Sequence, residues 1–100
     1  MESHTRKLLI IVTEAALEGV LSKEIVQLGA HGFTITDARG KGGRGVRNAH
    51  WEATSNIRIE VVCDPETADA IISHVRKLYY DNYAMIVFLS DVQVLRPEKF

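Results

Sequence analysis

The sequence has little of what cross-linking by disulfides or metal ions requires. Its single cysteine, Cys63, cannot form an internal disulfide, and one thiol is too few for a cysteine-rich metal site. The four histidines, at positions 4, 31, 50 and 74, show none of the spacings that metal ligands share. We therefore predict no metal ion and no prosthetic group.

Long apolar runs are also missing. The longest, residues 84–89, is far shorter than the roughly 20 apolar residues that a membrane-spanning helix needs. At 100 residues, 46% hydrophobic and 25% charged, the chain has the composition of one soluble globular domain. We expect a cytoplasmic protein without direct membrane insertion.

The formal net charge of -1 conceals an uneven distribution. Residues 38–51 contain Arg39, Lys41, Arg44 and Arg47 and no acidic residue. The rest of the chain then has 8 basic and 13 acidic residues, a net charge of -5. Such a basic segment in an acidic body is where an anionic ligand is expected to bind.

Apolar periodicity predicts alternating strands and helices. Strands are expected at residues 7–12, 33–38, 57–63 and 83–89, and a short final strand at 92–95. Thr13 has the character of an N-cap for a helix over residues 14–28, which Gly29 would end. Asp64 and Pro65 predict the start of a second helix that extends to about residue 80.

The order of these elements predicts an α+β domain of the ferredoxin-like βαββαβ type over residues 1–100. Right-handed crossovers would place both helices on one face of an antiparallel sheet. The first and fourth strands do not alternate between apolar and polar residues, so their outward side chains also favour burial. We therefore expect an oligomer that packs through the open face of the sheet.

The loop between the second and third strands has the composition of a phosphate site. Positions 40–45 hold four of the seven glycines, interleaved with the basic residues described above. Glycine lets backbone amides approach an anion, and arginine binds phosphate or carboxylate oxygens with two parallel hydrogen bonds. A solvated connector remains the alternative. The literal G-x-G-x-x-G match is rejected as a dinucleotide fingerprint because no helical pattern follows it.

Other candidate chemistry is weaker. No serine has a convincing local base, and no pair of carboxylates suggests acid-base catalysis. Trp51 has two interpretations of equal weight: stacking on a base or partner, or anchoring the loop to the protein. Nucleic-acid binding is not expected, because the strands lack a row of exposed aromatic residues and the rest of the chain is acidic.

Several segments together resemble the PII signalling family, whose large T-loop lies between the second and third strands. The most specific is residues 40–47, Gly-Lys-Gly-Gly-Arg-Gly-Val-Arg, and the resemblance continues through residues 57–62, 79–84 and 91–95. It is closest to the PII-like branch tied to inorganic carbon, which includes proteins associated with carboxysomes and with a sodium-bicarbonate transporter. The T-loop would span about residues 38–55.

The resemblance implies a homotrimer that binds adenine nucleotides in the clefts between subunits and responds to bicarbonate. It implies a non-enzymatic sensor whose T-loop acts on a bicarbonate transporter or a carboxysome-related protein. By position, the nucleotide and anion site would comprise the loop residues Gly40, Lys41, Gly42, Arg44 and Arg47, with Glu60, Val87, Phe88 and Leu89 from the third and fourth strands. The alternative role for Glu60 is that of an outward strand residue paired with Arg58 or with another neighbour.

Two departures from the nitrogen-sensing PII proteins refine this expectation. No tyrosine lies between Asp37 and Asn56, so the uridylylation switch is not expected. The Thr-Gly-x-x-Gly-Asp-Gly-Lys segment that holds triphosphate is also absent, which favours AMP or ADP over ATP. The alternative function is an acylphosphatase-like enzyme. Its phosphate loop would follow the first strand, but the segment there, Thr13 and Glu14, is acidic and contains no glycine.

Overall fold

Four antiparallel strands form one sheet in the computed structural model, which describes residues 3–40 and 55–100. The strands are β1 (His4–Glu14), β2 (Thr34–Ala38), β3 (Asn56–Cys63) and β4 (Met85–Val94), in the spatial order β2-β3-β1-β4. The helices are α1 (Glu18–Gln27) and α2 (Pro65–Leu78), with short 3-10 helices at Ala15–Leu17 and Pro97–Lys99. This arrangement confirms the predicted α+β, ferredoxin-like βαββαβ fold.

The core lies between the sheet and the two helices. Strand β3 alternates strictly between buried and half-buried residues, so Ile57, Ile59 and Val61 all point toward the helices. They pack with Leu9 and Ile11 from β1 and with buried residues of both helices, Leu21, Ile25, Ile71 and Val75. Burying each such side chain contributes about 1.5–3 kcal/mol of hydrophobic free energy, which fixes the helices on this one face.

The start of the first helical segment differs from the sequence prediction. Thr13 is a strand residue rather than an N-cap, and β1 continues to Glu14 before the 3-10 helix begins. The Thr13 hydroxyl donates to the carbonyl oxygen of Ala84 at 2.7 Å, and the backbone of Thr13 pairs with Ile57 and Met85. Strand pairing on both sides and this hydrogen bond therefore replace the predicted cap.

The end of α1 follows the prediction that Gly29 terminates the helix. Gly29 has φ 121°, a backbone conformation that favours glycine. Its N–H donates to Val26, and the N–H of Ala30 donates to Ile25, which is the hydrogen-bond pattern of a Schellman motif. Buried Ala30 and Ile25 supply the apolar contact that accompanies this motif.

Helix α2 begins where its sequence signals predict. The Asp64 carboxylate accepts a 2.8 Å hydrogen bond from the N–H of Thr67, and Pro65 occupies the first turn. The helix ends at Leu78, about two residues earlier than predicted.

Cys63, the last residue of β3, is buried beneath the helices. This burial, together with the negative charge of Asp64, raises the pKa of the thiol to about 11. The thiol is therefore unreactive at neutral pH.

The predicted fourth and final strands form a single strand, β4. Ser90 and Asp91, which interrupt the apolar pattern, keep their pairing with Leu8 and Lys7 of β1. The Lys7 ammonium lies 2.7 Å from the Asp91 carboxylate and supports this part of the ladder. No helix in the described ranges is long and apolar enough to cross a bilayer.

Candidate functional site

Five of the nine predicted site residues lie within the described part of the chain: Gly40, Glu60, Val87, Phe88 and Leu89. Lys41, Gly42, Arg44 and Arg47 lie outside the described residues, as does Trp51.

The loop leaves and re-enters the sheet at neighbouring strands. Ala38 of β2 pairs with Asn56 of β3, so Gly40 and Ser55 lie just beyond a closed ladder. Glu60 is four residues further along β3, about 13 Å from that end at the usual strand rise. The fold thus places Gly40 at the base of the loop and Glu60 nearer the middle of the sheet.

Glu60 belongs to a row of side chains across the open face of the sheet. The register pairs Ile10 of β1 with Glu60 on one side and with Phe88 of β4 on the other. Since directly paired residues project from the same face, Glu60, Ile10 and Phe88 all point away from the helices. The fold therefore places one predicted site residue on each side of Ile10.

Arg58 connects the two ends of this row. Its Nε donates a 3.1 Å hydrogen bond to Oε2 of Glu60, and its guanidinium carbon lies 6.0 Å from the centre of the Phe88 ring. The distance from the ring is at the limit for a cation–π interaction. The ion pair of Arg58 with Glu60 is the alternative role that the sequence offered for Glu60. Phe88 lies near Arg58 because β1 brings β3 and β4 into register.

Ile10 is enclosed although no helix covers its face of the sheet. Its side chain is 1% exposed, while it lies outside the core cluster beneath the helices. Its register partners on the two neighbouring strands are Glu60 and Phe88, and Arg58 is bonded to Glu60. We define Ile10, Arg58, Glu60 and Phe88 as the open-face cluster.

Val87 and Leu89 lie on the other side of β4. They pair with Ile11 and Leu9, whose side chains point toward the helices, so strand alternation separates them from Phe88. All three nevertheless border an open groove of about 390 Å³ at the free edge of β4, whose other wall is formed by Ile72 and Arg76 of α2 and by Tyr80 in the turn after it. The fold thus brings the predicted 87–89 segment together at one groove.

Arg76 and Tyr80 also line an adjoining shallow groove of about 470 Å³. Its remaining walls are Ser73, Lys77 and Asp81. Two cations and one carboxylate make this surface net positive. The sequence reasoning did not select Arg76 or Lys77; the signal for them is a pair of basic residues in the last turn of α2, which ordinarily complements the helix dipole.

The turn before β4 is held at both ends. At its start, Tyr79 donates a 2.6 Å hydrogen bond from its hydroxyl to Oε1 of Glu24, and this bond raises the pKa of Tyr79 to about 12. At its end, the N–H of Ala84 donates to the Glu14 carboxylate at 2.7 Å. Hydrogen bonds at both ends of residues 79–84 therefore fix the position at which β4, with candidate residues 87–89, begins.

Two classes of site find no support in the described ranges. They contain no group of three or more histidine, cysteine, aspartate or glutamate residues arranged to hold a metal ion. The acylphosphatase-like alternative needs an anion-binding loop after β1. There, the backbone N–H of Ala15 donates to the carbonyl oxygen of Ser55 at 2.9 Å, and the Glu14 carboxylate, which accepts from the N–H of Ala84, places a negative charge at this corner.

Comparisons with known proteins place this geometry in a family. A PII-like signalling protein from Thermus thermophilus is 42% identical with a TM-score of 0.84, covering 100% of this chain and 99% of its own. CPII from Thiomonas intermedia, in a structure bound to ADP and bicarbonate, is 26% identical with a TM-score of 0.85, covering 99% and 97%.

A second structure of CPII, bound to ADP, AMP and bicarbonate, is 25% identical with a TM-score of 0.83, covering 99% of this chain and 96% of its own. The family model described as nitrogen regulatory protein P-II matches residues 6–99. The match spans both helices, all four strands and the loop between β2 and β3. The chain belongs to the nitrogen regulatory protein P-II family.

Proposed function

We propose that this chain is a non-enzymatic sensor that binds AMP or ADP in clefts between the subunits of a homotrimer and responds to bicarbonate. The observation that carries the proposal is the position of the glycine-rich basic loop. It leaves the sheet at Gly40, beside β3, in a family whose similar member CPII is bound to ADP and bicarbonate. Loop cations would supply the countercharge for phosphate.

Each candidate residue has a proposed role. Arg44 and Arg47 would bind the nucleotide phosphates, with Gly40, Lys41 and Gly42 providing amides and one further cation close to them. Glu60 would accept a hydrogen bond near the adenine, while Val87, Phe88 and Leu89 would line the base. The groove at the β4 edge supports the last assignment, because it is bordered by these three residues.

The homotrimer would bury the open face of the sheet. Ile86 and Phe88 are 54% and 48% exposed in the single chain, although they lie on a face with buried Ile10. Apolar side chains of this size favour a partner surface. Clefts between subunits would then adjoin the edges of the sheet, where the β4 groove lies.

Bicarbonate and the T-loop complete the proposed mechanism. Bicarbonate has one negative charge, so beside a nucleotide phosphate it needs donors from Lys41, the arginines or loop amides to offset repulsion. The bound ligands would set the shape of loop 38–55, and the loop would then bind or release a protein partner in inorganic-carbon uptake or fixation. A bicarbonate transporter and a carboxysome-related protein are the two partner classes.

Calorimetric titration with ADP, with and without bicarbonate, tests the proposal. We expect Arg44→Ala or Arg47→Ala to abolish measurable ADP binding while the mass in solution stays that of the unmodified protein. Arg6→Ala is the control, because Arg6 lies on β1 outside the predicted site and its guanidinium donates to the carbonyl oxygen of its neighbour Thr5. Unchanged ADP affinity in both loop variants would contradict the proposed site.

The same titration tests the coupling between ligands. If bicarbonate and nucleotide bind as proposed, the apparent ADP affinity changes when bicarbonate is present, since the coupling of two bound ligands is reciprocal. Equal ADP affinities with and without bicarbonate would contradict the proposed response to bicarbonate, and nucleotide binding alone would be supported.

A further inference from the structure

Arg58 is the charged residue of the open-face cluster to which no ligand contact has been assigned. Within the described ranges, its guanidinium makes one hydrogen bond, from Nε to Oε2 of Glu60. The side chains of the pair are 40% and 42% exposed in the single chain. In the proposed homotrimer, whose subunits pack through this face, the pair would border a cleft between subunits, where a ligand can reach it.

The single hydrogen bond leaves one oxygen of Glu60 available. Oε2 is held by Arg58, while Oε1 has no donor among the described residues. An ionised carboxylate accepts hydrogen bonds only, so Oε1 is suited to an N–H or O–H group of a ligand. Arg58 thereby selects the orientation in which Glu60 presents that oxygen.

Charge gives Arg58 a second effect on the same residue. An adenine nucleotide brings negative phosphates, and an uncompensated carboxylate in the same cleft would repel them. The guanidinium of Arg58 at 3.1 Å balances this charge without occupying both oxygens. An acid can thus lie close to an anionic ligand and still accept a hydrogen bond from its neutral part.

We propose that Arg58 is a positioning residue of the nucleotide site, which orients the Glu60 carboxylate toward the ligand and compensates its charge. This inference rests on the proposed function and deepens it. The guanidinium carbon of Arg58 also lies 6.0 Å from the centre of the Phe88 ring, so Arg58 is placed between Glu60 of β3 and Phe88 of β4, the two strands that flank β1.

A double-mutant cycle on ADP affinity tests the role. We expect Arg58→Gln and Glu60→Gln each to weaken ADP binding about tenfold, which is the usual effect of losing one charge-assisted hydrogen bond. The double variant should bind no more weakly than either single variant, because both changes remove the same unit. Arg58→Lys should recover most of the affinity, since it restores the charge beside Glu60.

Lys7→Gln is the matched control. It removes a different surface ion pair, between Lys7 of β1 and Asp91 of β4, outside the candidate site. We expect it to leave ADP affinity unchanged. The mass in solution and the melting temperature of every variant are measured in parallel, which separates a change in assembly or stability from a change in the site.

The outcomes distinguish the two proposals. If Arg58→Gln lowers the melting temperature but binds ADP like the unmodified protein, Arg58 is only structural and the inference is overturned. Additive losses in the double variant would also overturn it. If the unmodified protein binds neither ADP nor AMP, the proposed function itself fails, and the inference fails with it.

Discussion

The hydroxyl of Tyr79 donates a 2.6 Å hydrogen bond to Oε1 of Glu24 and so joins the residue after α2 to the middle of α1. The Nε2 of His74 lies 3.0 Å from the same oxygen and is buried. Tyr79 also stacks edge-on with Tyr83, which carries the connection to the start of β4.

Alkaline pH should weaken this connection. The hydrogen bond to Glu24 is the largest cause of the raised pKa of Tyr79, about 12 against an ordinary value of 10. Because the folded-state pKa is the higher one, the stabilisation is complete below pH 10 and is lost as the pH rises through 12. Urea unfolding between pH 8 and 12 should show this loss in the unmodified protein.

The matched variants are Tyr79→Phe and Tyr80→Phe, since Tyr80 is an exposed neighbour. Tyr79→Phe removes the titrating group and should flatten the decline in unfolding free energy between pH 10 and 12, whereas Tyr80→Phe should retain it. The interpretation is wrong if both variants decline as steeply as the unmodified protein.

Acid should weaken the start of α2. The N–H of Thr67 donates to the Asp64 carboxylate, and this hydrogen bond is the main cause that lowers the pKa of Asp64 below its ordinary value of 3.8. A lowered folded-state pKa means that the stabilisation is present above pH 3.8 and is lost as the pH falls through the folded-state pKa.

Asp64→Asn isolates this acid effect. Asparagine can still accept the hydrogen bond as an N-cap but has no charge to titrate. Thermal melts between pH 2 and 6 should therefore show a smaller acid-induced decrease in melting temperature for Asp64→Asn than for the unmodified chain. Glu66→Gln, also in the first turn, is the control for a general loss of negative charge. Equal acid sensitivity in all three proteins would contradict the prediction.

Gly29 should not tolerate a side chain. Its φ is 121°, and an added Cβ would lie 2.9 Å from Oγ1 of Thr67. Gly29→Ala combines backbone strain with this contact and should lower the unfolding free energy by about 1–3 kcal/mol. Gly32→Ala is the control, because nothing lies within 4 Å of its added Cβ and its φ is not in the positive range. Equal stability of the two variants would show that the loop relaxes.

The open face should control assembly. Ile86→Glu places a charge on an apolar side chain that is 54% exposed on this face, so burying it between subunits becomes unfavourable. We expect the mass measured by light scattering to fall from that of a trimer toward that of a monomer. Val26→Glu changes an equally exposed residue of α1 and should keep the trimer mass. A trimer in both variants would place the interface elsewhere.

The fold was predictable where local signals decide it. Asp64 and Pro65 initiate α2 through one hydrogen bond and one fixed backbone angle, and Gly29 ends α1 for a similarly local reason. The start of α1 was not predictable, because the Thr13 hydroxyl binds Ala84, 71 residues away. The continuity of β4 through Ser90 likewise depends on pairing with β1 rather than on its own pattern.

The candidate site was predictable only in part, for a related reason. The resemblance selected Glu60 and residues 87–89, and an i, i+2 spacing on one strand made the Arg58 pair visible. Glu60 and Phe88 lie on either side of Ile10 only because β3, β1 and β4 pair in a particular register, which the sequence pattern does not specify. Arg76 and Tyr80 enter the groove through the packing of α2 against the edge of β4, and no spacing in the sequence encodes that contact.

The pairing of Ala38 with Asn56 has a consequence for how this domain can diverge. Because the sheet holds both ends of the intervening segment at neighbouring positions, the segment closes a gap of fixed width whatever its length. Doubling the length of such a segment costs only about 0.6 kcal/mol in closure entropy. Its sequence can therefore be exchanged, lengthened or shortened at a small cost in folding free energy.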